Sequence, residues 1–214
     1  MDYDFIQKYL IDLVPPRPQE MQDMEEFAAK TNFPIIGPAA GYACYQIARM
    51  NRAQSVFEMG SGYGYSTAWF AKAVQETCAE EGKEGVVHHV VWDEGLSRKA
   101  RLHLGKLGYE NLIEYHVAEA IATLRDVPGP FDLIFNDIDK KAYPDSLPVI
   151  KEKLRPGGVL LVDNMLWSAR IFDQRQQDES TQGIRRLTEL ITKDPDWIVT
   201  LLPIRDGMMV ALKK

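Results

Sequence analysis

Only two of the 214 residues are cysteine, Cys44 and Cys78, and no paired spacing joins them. That excludes a disulfide framework, a zinc knuckle and a dithiol redox motif, and it leaves two reduced thiols in a cytoplasmic protein as the expectation. Histidine is also scarce, at four residues. No uninterrupted apolar run approaches the roughly 20 residues of a membrane span. The first residues, "MDYDFIQKYL", carry acids where a secretory leader carries bases. Basic residues do not dominate: 25 Lys and Arg face 31 Asp and Glu, for a net charge of −6. That balance argues against a chain that works by gripping phosphate backbones, so neither nucleic acid nor membrane is an expected partner. Repeats and low-complexity tracts are missing as well. What remains is 45% hydrophobic and 26% charged, ordinary for a globular protein with room for a full core.

The expected organisation is one domain over 1–214, with a helical segment over 1–50 and an α/β core over 51–214. "DFIQKYLIDL", "PQEMQDMEEFAAKT" and "AAGYACYQIARM" read as helices, the second with Pro18 at its start. From "QSVFEMG" onward, strands alternate with helices. "GVVHHVVW", "NLIEYHV", "FDLIF" and "VLLV" are strands. "STAWFAKAVQETCAEE", "LSRKARLHLGKLG", "AEAIATLRDV", "PDSLPVIKEKL" and "TQGIRRLTELITKD" are helices, and "RPGG" is a stop. "WIVTLLPI" and "MMVALKK" flank Asp206-Gly207 as a hairpin. The pattern predicts an α/β fold: a doubly wound, mainly parallel sheet with a C-terminal antiparallel hairpin.

In such sheets ligands sit beyond the carboxyl ends of the strands. Glu58, Asp93, Asp137, Asp163 and Asn164 all close or follow strands. "EMGSGYGYS" places Gly60, Ser61, Gly62 and Gly64 between a strand and a helix. Dinucleotide loops have the spacing G-x-G-x-x-G, whereas this one is G-x-G-x-G with Glu58 before it. A carboxylate there would repel phosphates and suits a cationic or hydroxyl-bearing ligand such as S-adenosylmethionine, whose carboxylate Ser66 and the loop amides could take. A purely structural turn would show the same glycines. Asp93, with Glu94 as its competitor, is placed to bond ribose hydroxyls. Glu119 could accept from an adenine amino group or cap a helix.

Asp137 follows one strand, and Asp163-Asn164 follow the next. If those strands are neighbours, three oxygen donors converge, a hard set suited to Mg²⁺, Mn²⁺ or Ca²⁺. Lys140 reads either as a base beside that cation or as a surface lysine paired with Asp139 or Asp137. The four histidines, His88, His89, His103 and His116, read as structural. Trp69 and Trp92 read as core or partly buried, and Trp167 as a wall for a flat ring.

These segments together resemble the cation-dependent, S-adenosylmethionine-dependent O-methyltransferases, the class of the catechol and caffeoyl-CoA enzymes, in their compact prokaryotic form. "FEMGSGYGYST" is similar to the family's cofactor loop. "NDIDKKAYPDSL" resembles its D-x-D-K-x-x-Y segment, and "LRPGGVLLVDNMLWSARI" its DN-x-LW segment. The resemblance implies a Rossmann-like methyltransferase fold. It implies that Asp137, Asp163 and Asn164 ligate a divalent metal and that Lys140, with Asp137, is catalytic. It gives Glu58, Gly60, Ser61, Gly62, Gly64, Ser66, Asp93, Ala118, Glu119 and Asp137 to the cofactor, and Trp167 and Ile36 to the substrate pocket. The departures are the spacing of the acid after the second strand, Thr188 in place of a common asparagine, and an apolar "NFPIIGPAAG" connector. The implied reaction is methyl transfer to a hydroxyl of a catechol-like phenol. The apolar face of the N-terminal helices, "DFIQKYLIDL" included, reads either as a homodimer contact or as packing on the chain's own sheet. Two rivals are a methyltransferase acting on a hydroxylated tRNA base and an NAD-dependent oxidoreductase.

Overall fold

The computed structural model describes residues 3–214, so the first two residues of the expected helical segment lie outside it. Seven strands form one sheet: β1 (Ser55–Met59), β2 (Val86–Val91), β3 (Ile113–Val117), β4 (Phe131–Asn136), β5 (Leu154–Val162), β6 (Trp197–Leu202) and β7 (Met208–Lys213). Their order is β3-β2-β1-β4-β5-β7-β6. β1 to β5 pair in parallel, and β7 runs antiparallel to both β5 and β6. The helices are α1 (Tyr3–Asp12), α2 (Gln19–Thr31), α3 (Gly37–Met50), α4 (Tyr65–Glu81), α5 (Glu94–Lys106), α6 (Ala120–Asp126), α7 (Tyr143–Lys153) and α8 (Glu179–Lys193).

The central strands are covered on both faces, so they read as apolar runs rather than as alternations. In β4, Phe131, Leu133, Ile134 and Phe135 are all buried. One face packs against α2, α3 and α4 through Met24, Cys44, Trp69 and Phe70. The other packs against α6, α7 and α8 through Leu124, Tyr143, Ile150 and Ile184. From β1 the chain builds outward to β2 and β3, and from β4 it builds the other way to β5. The strand order therefore reverses between β1 and β4, which opens a crevice at their carboxyl ends.

Two expectations need correction. Trp92 is 72% exposed, because it sits one residue past β2, beyond the cover of the helices. "RPGG" is not a gap between helix and strand: β5 starts at Leu154 and runs through it. The register slips there, with Phe131 opposite Leu154 but Leu133 opposite Val159. Asp132 staples the irregularity. One carboxylate oxygen accepts from Arg155 Nε at 2.6 Å, and the other accepts from Gln54 N and Ser55 N at 2.8 and 2.9 Å. Pro156 has no N–H to give a ladder, and a bulge is where a strand tolerates it.

Candidate active site

Strand β1 delivers Glu58 and then the glycine loop. The Gly60 backbone has φ +89, and a Cβ there would lie 2.4 Å from the Asp137 carbonyl oxygen. Glycine is thus required twice over, by conformation and by the close approach of the β4 end. Ser61 ties the loop to β2: its N–H donates to Val90 O at 2.9 Å, and its Oγ accepts from Val90 N at 2.9 Å. Asp137 N donates to Met59 O and Asp163 N to Asn136 O, so the ladder carries on past the strand ends and sets both acids side by side. The Tyr143 hydroxyl, from α7, donates to the Asp163 carbonyl at 2.9 Å and fixes the β5 end from below.

β4 and β5 are neighbours, so Asp137 and the Asp163-Asn164 pair stand just past adjacent strand ends. Asp163 is buried, 1% exposed, and its Oδ1 has no hydrogen-bond partner. Its Oδ2 accepts from Arg205 Nη1 at 2.8 Å. Burial raises its carboxyl to about 6, with nearby Asp137 adding and Arg205 opposing. Burial also raises Asp137, against the pull of Lys140, whose Nζ lies 2.5 Å from Asp137 Oδ1 and 3.2 Å from Ile138 O. Asn164 sits in the left-handed region at φ 59, and its Nδ2 donates to Asp206 at 3.3 Å, which leaves its amide oxygen for another partner. Lys140 therefore pairs with Asp137, while Asp139 pairs with Lys141.

Glu58 is fully buried. Desolvation pushes its carboxyl up to about 7, with the Ser66, Thr67 and Ser61 hydroxyls opposing. Thr67 donates to its Oε2 and also lies 3.0 Å from His89 Nδ1, while Oε1 is buried and unpartnered. An unpaired buried acceptor beside a glycine loop is an opening for a ligand donor.

A cavity of about 390 Å³ opens at these strand ends, lined by Ile36, Gly60, Ser61, Gly62, Ser66, Asp137, Lys140, Asn164, Trp167 and Arg205, among others, while Glu58 and Asp163 lie buried outside its lining. A second, of about 230 Å³, lies across Gly60 and is walled by Val91, Trp92, Ala118, Asp137 and Ile138. Gly64 sits at the N-terminal end of α4, at φ +95. Asp93 and Glu119 are not among the lining residues of either cavity. Each caps the next helix instead: Asp93 accepts from Leu96 N at 2.7 Å, and Glu119 from Ile121 N and Ala122 N at 2.9 and 2.6 Å. Glu94 pairs with Arg98.

Sequence reasoning did not single out Arg205, Thr67 or Tyr143. Arg205 was legible only as a turn residue, and its φ of 51 aims it at Asp163, 42 positions away in sequence. Tyr143 was visible within "NDIDKKAYPDSL", but not its tie to the next strand.

A family model described as O-methyltransferase matches residues 17–214. The catechol O-methyltransferase of Niastella koreensis is 24% identical over 99% of this chain and 98% of its own length. The structure of an O-methyltransferase from Bacillus cereus, in complex with SAH, is similar with a TM-score of 0.83 and 26% identity, covering 98% of this chain and 97% of that one. The O-methyltransferase TomG of Streptomyces achromogenes, solved with SAM, shares the fold with a TM-score of 0.87 at 24% identity, covering 100% and 99%.

Proposed function

The chain belongs to the O-methyltransferase family, and on that premise we propose that it moves a methyl group from S-adenosylmethionine to a hydroxyl of a catechol-like small molecule, with a divalent cation, Mg²⁺ foremost, assisting. One observation carries the reading: the glycine loop, Asp137, Lys140 and Asn164 line a single cavity, with Asp163 buried behind them. The residues fit both groups. Glu58 Oε1 and Asp163 Oδ1 are buried acceptors without partners, one on each side of Asp137. Asp137, Asp163 and Asn164 offer only oxygen donors, the choice of a hard cation.

When bound, S-adenosylmethionine supplies an electrophilic methyl group, and the cation supplies Lewis acidity that lowers the pKa of a phenolic hydroxyl. The protein does the rest by position. Glu58, Ser66 and the Gly60–Gly64 loop hold the donor's amino-acid portion. Val91, Trp92 and Ala118 take its adenine, with Trp92 offering an exposed flat face. Asp93 and Glu119 act there through the helix ends that they cap. Lys140, positioned by Asp137, would take the proton that leaves the acceptor hydroxyl as a neutral amine, its own ammonium proton having first passed to solvent. Ile36 and Trp167 wall the acceptor's ring and keep water off the reacting pair. Among the described residues no helix is long and apolar enough to cross a membrane. The homodimer expected of this enzyme would cover the exposed Phe5 and Tyr9 of α1 and Leu13 just past its end.

Asp137→Asn tests the assignment. It removes one charge from the donor set and the anchor of Lys140. Methyl transfer at saturating Mg²⁺ should fall at least about 100-fold, in the range lost when a transition-state contact is removed. Equal rates for variant and wild type would refute it.

A further inference from the structure

A second cluster of donors lies away from the strand ends. β2 and β3 pair with His88 opposite Glu114 and Val90 opposite His116. Alternation along each strand puts His88, Glu114 and His116 on one face. His88 Nδ1 is 3.1 Å from His116 Nε2 and 3.3 Å from Glu114 Oε2. One donor atom from each of the three lies within 4.8 Å of the others. We propose that these three side chains form a second metal site, which takes a borderline transition ion, Zn²⁺ first, in place of the hard cation of the active site.

The donor set carries the choice of ion. Two imidazole nitrogens and one carboxylate oxygen are ligands of zinc, with a fourth position left to water. Ligand atoms at about 2.0–2.1 Å around a tetrahedral zinc stand ~3.3 Å apart. The two short separations here are close to that spacing. The parallel register holds the ligands in place through the backbone.

The surroundings suit an exchangeable ion. His88 is buried, with its ring 5.6 Å from that of Phe57 and 5.4 Å from that of Phe131. His116 is half-buried, and Glu114 is exposed on the edge strand. The site thus has a dry floor and an open mouth, which gives an ion its entry path. Burial lowers His88 to about 4 and lowers His116 below its ordinary value. A neutral imidazole with its proton on the far nitrogen presents a lone pair to a metal. Without an ion, the facing nitrogens share a hydrogen bond. With one, both become ligands and the edge strand is clasped to β2. Both cysteines are buried elsewhere and offer no competing thiol.

The test uses untagged, metal-free full-length protein titrated with ZnCl₂ by calorimetry in excess Mg²⁺, which saturates an oxygen-donor site and leaves imidazoles open. One equivalent of zinc should bind. The Glu114→Gln/His116→Asn double variant should lose more than the about 10–100-fold that loss of an outer-shell partner costs. Co²⁺ should give a visible d–d band in wild type that the double variant lacks. Asp163→Asn should leave zinc affinity unchanged. Zinc binding that survives the double variant at wild-type affinity would overturn the site, as would no binding by wild type. If the double variant fails to fold, Glu114→Gln alone, a change at an exposed side chain, gives the same reading.

Discussion

Gly183 lies in the second turn of α8, where the helix crosses the 3-10 turn that carries Lys140. An added Cβ would lie 2.2 Å from the Lys140 carbonyl oxygen and 2.9 Å from Lys141 Cα. Real Cβ contacts do not fall below 3.0 Å, so Gly183→Ala must open the gap by at least 3.0 − 2.2 = 0.8 Å. The partners are backbone on both sides, so no side chain can swing away. Overpacking of this kind costs about 1–3 kcal/mol. The better helix propensity of alanine returns up to about 1 kcal/mol. The net loss is then up to about 2 kcal/mol, which for a chain of this size lowers Tm by up to roughly 8 °C. The larger effect is on chemistry. Displacing the Lys140 turn moves Nζ relative to Asp137, and a misplacement of about 1 Å costs up to about 100-fold. The glycine loop is untouched. We therefore expect kcat/KM for methyl transfer to drop about 10- to 100-fold while the Kd for S-adenosylmethionine stays within about threefold. Gly105→Ala is the control, since nothing lies within 4 Å of its added Cβ, and it should stabilise by about 0.5–1 kcal/mol without touching activity. A Gly183→Ala protein with wild-type kcat/KM and an unchanged Tm would refute the claim that α8 sets the position of Lys140.

Burial raises the Glu58 carboxyl from 4.5 to about 7. The native state therefore binds that proton more tightly than the unfolded chain. The stability it contributes is complete below pH 4.5 and is lost as pH rises through 7, by roughly 3 kcal/mol in all. Glu58→Gln should remove that slope, so thermal melts of the ligand-free protein should favour the variant increasingly from pH 5 to pH 8; parallel Tm profiles would refute the shift. Trp92→Ala should raise the Kd for S-adenosylmethionine roughly 3- to 10-fold, the weight of one aromatic stacking contact, with kcat preserved. An unchanged Kd by calorimetry would remove Trp92 from the adenine site.

Much of the fold could be read directly. Apolar strands alternating with amphipathic helices require a covered parallel sheet, and "RDG" between two β-rich runs marks the terminal hairpin. Acids immediately after strands marked the crevice. Which way each acid turns was not readable, because that is a side-chain torsion decided by neighbours. Asp93 and Glu119 stand at strand ends as expected, yet both turn onto the next helix's free N–H groups. The pairing of Arg205 with Asp163, and of Gly183 with Lys140, depends on how distant segments return to the site. The His88–Glu114–His116 group needs the β2–β3 register before it becomes a cluster at all. The bulge in β5 is accompanied by Arg155 reaching Asp132, a contact between strands that "RPGG" read alone does not reveal.

The most direct measurement is transfer of labelled methyl from S-adenosylmethionine to a simple catechol, with Mg²⁺ and again with EDTA. Turnover is expected with Mg²⁺, with its abolition by EDTA and its recovery when Mg²⁺ is restored. Turnover that EDTA leaves intact would contradict the role given to Asp137, Asp163 and Asn164, and failure to bind S-adenosylmethionine at all would contradict the whole reading.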